Sequence, residues 1–412
     1  MLKDHLDSPV TRRRLYSGPA APHVDAFADW LSVNGYGGTT IPDCLRRLAR
    51  WTDWMRDADI DSKDFPAAIE VYKKDLEVQG RLRYTNGVLH TSIAAASLFV
   101  RFLRDAGIVP CPAPSHSVFD RFPIIAEFRS WMAENRGLTQ SSLDAYQYLV
   151  GEMIVALGDD PLRYSATSLR DFVYERGRPY GTHWNKCITR SIRAYLRFLV
   201  ATGRCAMGIE YSIPSCASWK NSAAPRYIEP ADLKLIIRKS KVKGRQGVRD
   251  RAVILLLARL GLRASDVAGL ALSDIDWVNG RLAVMGKNRR QEWLPLTQEI
   301  GDALLCYIRV GRPELNDEHV FTSIKAPLRP LTRAAVGYIA GTAIRRAGVN
   351  APSHGAHVFR HSAATSMLRR GATLAGVGAV LRHRSPATTN HYAKVDFALL
   401  TKIAQPWPGV SP

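Results

Sequence analysis

The sequence predicts a mainly α-helical protein with one small antiparallel β-sheet in its C-terminal part, and three observations predict it. Apolar residues recur at helical spacing through most of the chain, and several of those runs stop at a glycine. Two proline-bearing stretches, Gly107–Pro123 and Gly208–Pro225, interrupt the periodic segments. One place only, around 281–296, sets two short β-prone runs on either side of a turn. The 412 residues, 46% of them hydrophobic, are enough for more than one core. The interruptions divide the chain into a helical piece at 1–112, a second at 113–210, a linker at 211–224 and a final domain at 225–412.

The first two pieces resemble each other. Phe27-Ala-Asp-Trp-Leu31 corresponds to Phe128-Arg-Ser-Trp-Met132, an offset of 101 residues, and Arg101-Phe-Leu-Arg-Asp-Ala-Gly107 corresponds to Arg197-Phe-Leu-Val-Ala-Thr-Gly203, an offset of 96. Between these ends each piece carries an amphipathic segment, Cys44–Met55 in one and Leu143–Leu157 in the other. Each is expected to be a small helical bundle, the first a possible duplicate of the second. The third piece opens with a helix over Pro230–Lys239 and continues with a strongly apolar one over Val248–Leu260, stopped by Gly261. The runs Arg281–Met285 and Glu292–Leu296 then flank Gly286-Lys287-Asn288-Arg289-Arg290, which reads as a hairpin with a basic tip. The remainder reads as helical, with Ser385-Pro386 marking the start of a late segment.

Charge singles out this last domain. The chain holds 57 Lys and Arg against 37 Asp and Glu, a formal +20. Residues 1–225 account for +4 of it and residues 226–412 for +16. Arg238, Lys239, Lys241, Lys243, Arg245, Arg249 and Arg251 crowd into fourteen positions with Asp250 as their one carboxylate. Such a run needs a counter-anion, and phosphate is the expected one. The partner implied is nucleic acid. The six cysteines are scattered with no Cys-x-x-Cys pair, as in reduced core thiols rather than a disulfide framework or zinc knuckle. Met1–Leu15 has no apolar leader, and the longest aliphatic run, Ala252–Ala258, is too short to span a bilayer. The expectation is a soluble cytoplasmic, nucleoid-associated protein with no membrane partner.

Five of the eleven histidines, His354, His357, His361, His383 and His391, fall within this domain between 354 and 391, together with Arg360, and Tyr392 closes the stretch. In His357-Val-Phe-Arg360-His361 the first His and the Arg are three apart and share a helix face. His357 and His361 are four apart, as zinc ligands can be, yet no Glu follows the first His and no third ligand is fixed by spacing, so no metal or other cofactor is expected.

In this order the motifs resemble the catalytic domain of the tyrosine recombinases, the phage-integrase family, which also resembles type IB topoisomerases. Leu260-Gly-Leu-Arg263-Ala-Ser-Asp266 is similar to the first arginine box, Gly286-Lys287 to the catalytic lysine at a hairpin tip, and His357-Val-Phe-Arg360 to the His-x-x-Arg box. Leu381-Arg-His383-Arg-Ser is similar to the following histidine box, and Tyr392, nine residues later, to the nucleophile. The resemblance implies a fold of helical N-terminal domains followed by a tyrosine-recombinase-like catalytic domain, with 113–210, including Tyr146, as a SAM-like core-DNA-binding domain. It implies that Arg263 and Arg360 clamp the non-bridging oxygens of a scissile phosphodiester, and that Tyr392 attacks phosphorus to give a covalent 3′-phosphotyrosine. In the same scheme His357 is the acid/base group, Lys287 the acid for the departing 5′ oxygen, His383 a hydrogen-bond donor to phosphate and Asp266 an orienting neighbour.

Lys239, Lys241, Lys243, Arg245, Arg289, Arg290, Arg382 and Arg384 are expected at the DNA backbone. His361 and His391 are read as structural or DNA-contacting and His354 as a turn residue. Arg382 departs from the family pattern, which most often has Gly before the histidine, and Ala393-Lys394 departs from the commoner pair after the tyrosine. The implied protein is a site-specific recombinase of integrase or transposase type that clamps duplex DNA at a specific site. It would act as a homo-oligomer, a tetramer on paired sites, with sister recombinases or DNA-bending proteins as possible partners. The apolar tail Phe397–Ile403 would pack on a neighbouring protomer. The alternatives are a non-catalytic DNA-binding partner of a recombinase complex and a type IB nicking-closing enzyme.

Overall fold

The computed structural model describes residues 2–60, 64–81, 91–111, 121–216, 225–285, 291–383 and 385–395. The chain forms two compact units, Met1–Val109 together with Ala223–Pro412, and Pro110–Ser222. Among the described residues no helix is long and apolar enough to cross a membrane.

Five helices make the first bundle: α1 (Pro9–Ser17), α2 (Val24–Val33), α3 (Thr40–Asp57), α4 (Phe65–Val78) and α5 (Thr91–Asp105). Their apolar stripes close on a core that includes Phe27, Leu31, Leu48, Trp51, Phe99 and Leu103. The bundle meets the C-terminal domain of the same unit where the backbone N–H of Leu328 donates to the carbonyl of Asn34 at 3.1 Å.

Four helices make the second bundle: α6 (Pro123–Arg136), α7 (Gln140–Leu157), α8 (Ala166–Gly177) and α9 (Thr182–Ala201). Its core holds Phe128, Met132, Ile154, Tyr195, Phe198 and Leu199.

Residues matched by the two sequence offsets take matching places in the two bundles. Phe27 meets Phe99 edge-on at 5.2 Å and 85°, and Phe128 meets Tyr195 at 5.3 Å and 84°. Trp30 lies 6.1 Å from Phe102 and Trp131 lies 5.8 Å from Phe198, tilted by 60° and 56°. The last helix of each bundle also ends in the same way. Gly107 and Gly203 sit at φ +71° and +72°, where a side chain would be strained. The residue after each glycine, Ile108 or Arg204, then donates to the carbonyl five positions back, Leu103 or Leu199, at 2.8 Å.

The C-terminal domain is built around α11 (Arg245–Arg259). All seven residues of Ala252–Ala258 are buried, because this stretch of the helix is apolar on every side and neighbouring helices cover it. Around it pack α10 (Pro230–Lys239), α12 (Ala264–Ala268), α13 (Gln298–Cys306), α14 (Arg333–Ala347) and α15 (His357–Arg369). The apolar run starts at Val248 in the sequence, whereas the helix starts three residues earlier, after Gly244. The sheet is antiparallel in the order β1 (Ile275–Asp276), β2 (Arg281–Met285), β3 (Gln291–Pro295), with Ala283 opposite Trp293. On its exposed face the Arg281 guanidinium lies over the Trp293 ring at 4.2 Å. The described residues end with α16 (Leu374–Val380), α17 (Pro386–Thr389) and a 3-10 turn over Asn390–Val395.

Candidate active site

The site begins where α11 ends. Gly261 takes φ +60°, which terminates the helix and turns the chain toward Arg263. A Cβ at this glycine would stand 2.7 Å from the Leu381 side chain and 3.3 Å from that of Ala363. The absence of a side chain therefore lets α15 and the segment after α16 close over this corner. Arg360 exploits that approach: its Nη1 donates to the Gly261 carbonyl at 2.6 Å and its Nη2 to the Leu381 carbonyl. Arg360 is only 2% exposed. Its hydrogen-bond partners are carbonyls rather than a carboxylate, so its charge is positioned without being neutralised.

Asp266, in the first turn of α12, is the carboxylate of this corner. It accepts from the Arg263 backbone N–H at 3.1 Å, capping the short helix, and lies 3.9 Å from Arg263 Nη1. It also accepts from Arg382 Nη2 at 2.5 Å. Arg263 Nη2 in turn donates to the Arg382 carbonyl at 3.3 Å. Two guanidinium groups, those of Arg263 and Arg382, thus share this carboxylate, while Arg360 keeps its carbonyl partners. Burial, and then the charges of Arg263 and Arg382, pull the Arg360 guanidinium down to about 10, still fully protonated at neutral pH.

The sequence placed Arg382 at the DNA backbone; in the structure it pairs inside the fold. Its side chain is 2% exposed and points inward to Asp266, while its Nε and Nη1 have no acceptor among the described residues. Arg382 sits at φ +56°, a left-handed conformation that only glycine adopts without cost. That is the physical reason a glycine would suit this position, and the Asp266 pair offsets the strain that arginine brings.

Tyr392 is carried by the closing 3-10 turn and is 3% exposed, packed with Ala364, Leu368, Val377 and Leu381. Its hydroxyl lies 2.8 Å from His361 Nδ1. Burial raises the phenol above its ordinary value, and Arg360 opposes the rise. The family resemblance implies the acid/base role for His357 and leaves His361 as structural or DNA-contacting. In the structure it is His361 that reaches the tyrosine oxygen, while His357 stands edge-on to His361 with ring centroids 4.5 Å apart. A histidine one turn beyond another on the face that carries Arg360 is the only sequence signal for this contact.

His383 stacks nearly parallel to the Tyr392 ring at 6.3 Å and 6°, with its Nδ1 fixed 2.8 Å from Thr389 Oγ1. Burial and then neighbouring cations pull both His361 and His383 down to about 4, and lower His357 as well. Burial thus disfavours the charged imidazolium at all three. Beside them opens a cavity of about 960 Å³ lined by Arg263, Ser265, Thr332, Arg333, Gly355 and His357 among others. Arg333, exposed at the start of α14, is a further cation at this cavity for which the sequence offered no motif.

The basic run divides. Lys239, Lys241 and Lys243 are exposed, as is Arg245, whose Nη2 donates to the Arg312 carbonyl at 3.3 Å. Arg249 and Arg251 turn inward. The first is buried against Asp250 and the Thr322 carbonyl, and the second donates to the Ile237 carbonyl at 3.0 Å. Those two cations are matched within the fold and need no external anion. Lys287, Arg289, Arg290, Arg384 and the tail 397–412 lie outside the described residues.

The mainly helical domain thus gathers arginines, histidines and a tyrosine at one positively charged corner. The sequence profile of the phage integrase family matches residues 226–398. The integrase/recombinase y4rA of Sinorhizobium fredii is 31% identical over 420 residues, covering 99% of each chain. The tyrosine recombinase XerC of Staphylococcus carnosus is 27% identical over 184 residues, 45% of this chain and 62% of its own. Among solved structures, XerH on a palindromic difH substrate after cleavage matches 69% of this chain and 84% of its own, with a TM-score of 0.56 and 17% identity. A lambda integrase dimer on a COC′ core site matches 70% of this chain and 98% of its own, with a TM-score of 0.54 and 18% identity. The chain belongs to the tyrosine recombinase, or phage integrase, family, whose members cleave and rejoin DNA in site-specific recombination.

Proposed function

We propose that this chain recombines duplex DNA at a specific site through a 3′-phosphotyrosine formed on Tyr392. What carries the reading is the charge imbalance in this corner: among the described residues Arg263 and Arg382 pair with one carboxylate, Asp266, while Arg360, which acts electrostatically on Tyr392, pairs with carbonyls alone. A phosphodiester is the anion that would balance it. Arg263, which lines the cavity, and Arg360, held by two carbonyls, hold the non-bridging oxygens and stabilise the charge that builds on them in the transition state. Their partial burial strengthens that interaction, and their fixed positions mean that little reorganisation is needed. His357 donates from the cavity side. His383, with Nδ1 engaged by Thr389, has its Nε2 edge left for a phosphate oxygen. Lys287 supplies the proton for the departing 5′ oxygen. One phosphoester bond is exchanged for another, so rejoining needs no nucleotide cofactor.

DNA binding as dimers and tetramers is seen in related folds, including lambda integrase tetramers on a Holliday junction. The same assembly on paired sites is proposed for this chain, because exchange between two duplexes requires four strand cuts. A nicked suicide duplex carrying the cognate site, resolved on a denaturing gel, tests the chemistry. The wild type is expected to form a covalent adduct and Tyr392→Phe none. An adduct in the Tyr392→Phe variant overturns the assignment of the nucleophile.

A further inference from the structure

The proton of the Tyr392 hydroxyl must go somewhere when its oxygen attacks, and the geometry points to a recipient outside the usual set of motif residues. We propose that His361 Nδ1 accepts that proton as the phenolic oxygen bonds to phosphorus. This inference rests on Tyr392 being the nucleophile. In the step the Oη–H bond breaks and its proton passes to Nδ1, the Oη–P bond forms, and the P–O5′ bond breaks. The 5′ oxygen is protonated by a separate acid, Lys287 in the scheme above.

The contact differs in kind from those that satisfy structural tyrosines in this chain. Tyr164 donates to the Gly158 carbonyl at 2.8 Å, and Tyr307 lies against the Thr322 hydroxyl at 3.3 Å. Neither partner can take up a proton at neutral pH. Tyr392 instead meets an imidazole nitrogen at 2.8 Å. No carbonyl or carboxylate shares that hydroxyl among the hydrogen bonds of the described residues.

The groups facing His361 are His357 and Arg360 on its own helix, His391 and Tyr392 on the closing turn, and His383 on the segment after α16. Apart from Tyr392 these are all cations or potential cations. Together with burial they keep the free imidazole neutral, with its lone pair available to the phenol. Binding a phosphodiester adds a negative charge to this cationic neighbourhood and raises the basicity of His361 just when a base is needed. The two histidines of α15 thereby divide the work: His357 lines the cavity where the phosphate would sit, and His361 lies against the nucleophile.

The test measures single-turnover adduct formation at saturating protein on the nicked duplex. His361→Asn keeps an acceptor near the place of Nδ1 without its basicity. Its cleavage is expected to fall about 100-fold at pH 7 with DNA affinity unchanged. The deficit should narrow as pH rises and hydroxide replaces the missing base. A 5′-thiolate leaving group, which needs no acid, should not restore the rate. Cleavage within about threefold of wild type, or rescue by the thiolate, overturns the proposal. Nitrogen-15 imidazole spectra of the wild-type protein and of Tyr392→Phe give a readout independent of how His361→Asn folds. His361 Nδ1 is expected to be unprotonated in both and to shift when the tyrosine hydroxyl is removed. A protonated Nδ1 in the wild type overturns it equally. If Tyr392→Phe still forms the adduct, the nucleophile assignment itself fails. If Tyr392→Phe is inert and His361→Asn is normal, only the role of His361 fails.

Discussion

Two sets of cations in the C-terminal domain make opposite uses of the same side-chain types. Around Tyr392, Arg360 and Arg382 are buried; Arg382 shares Asp266 with the half-buried Arg263, and Arg360 is held by carbonyls. From the end of α10 to the start of α11, Lys239, Lys241, Lys243 and Arg245 lie in solvent with no carboxylate partner among the described residues. Solvent screens the exposed set, so each of its charges contributes little beyond long-range attraction to a polyanion. Burial amplifies the first set: desolvation is costly there, and every guanidinium is tied to a carbonyl or to Asp266. A fold that retains such a cluster with too few carboxylates concentrates its electrostatic force at one point. The difference separates chemistry from grip.

The largest effect should come from the buried set. Arg360→Lys keeps the charge but cannot reach both the Gly261 and Leu381 carbonyls while presenting a planar fork to phosphate. Adduct formation on the suicide duplex is expected to fall about 1,000-fold, with filter-bound DNA affinity reduced by no more than a few-fold. An equal loss in binding and cleavage would mean that Arg360 grips DNA as the exposed lysines do, and the contrast between the two sets would collapse.

Arg382→Gly should have an intermediate effect of mixed sign. The substitution relieves the φ of +56° but strands Asp266 without its buried partner. Releasing the strain is worth about 1 kcal/mol, and removing one member of a buried pair costs about 3 kcal/mol or more. A net destabilisation of about 2 kcal/mol is therefore expected in urea unfolding. Cleavage should slow about tenfold, because Arg263 loses the fixed arrangement of Asp266 and the 382 carbonyl that orients it. A variant as stable as the wild type would show that the pair does no more than compensate for its own strain.

How much of this was legible in the sequence follows the same division. Helix α10 was read to its residue limits and the hairpin strands to within a residue, because periodicity and turn residues are local signals. Arg263, His357, Arg360, His383 and Tyr392 could be singled out because their motifs come in a fixed order along the chain. The structure brings them to one corner through Gly261 and the closing 3-10 turn. The direction of a loop arginine is not a periodic property. Arg382, Arg249 and Arg251 could therefore be counted as cations but not assigned to inside or outside. The partner of Tyr392 was illegible for a related reason: His361 lies 31 residues away, and their contact depends on how α15 meets the last turn. The likeness of the two N-terminal bundles shows in the sequence only at their ends. In the structure it extends to the angles between four rings in each core.

The exposed set should yield the smallest effect on chemistry, and its measurement tests the comparison from the other side. Lys239, Lys241 and Lys243 have no carboxylate partner among the described residues and stand clear of the core, so replacing all three by glutamine should leave the melting temperature unchanged within about 1 °C. Cleavage at saturating protein should also be unchanged, since the charge that acts on Tyr392 is that of Arg360. What should change is the dependence of affinity on salt. Each lysine that displaces a counterion from duplex DNA contributes about 0.9 to the slope of log K against log salt, so the triple variant is expected to lose between about 1 and 3 units of slope. The loss should apply equally to cognate and unrelated duplexes, because phosphate contacts carry no sequence information. An unchanged slope would place the DNA on another face of the domain, and the exposed set would no longer supply the grip. A lower cleavage rate at saturation would instead mean that the exposed charges reach the reacting centre, and the separation of grip from chemistry would no longer hold.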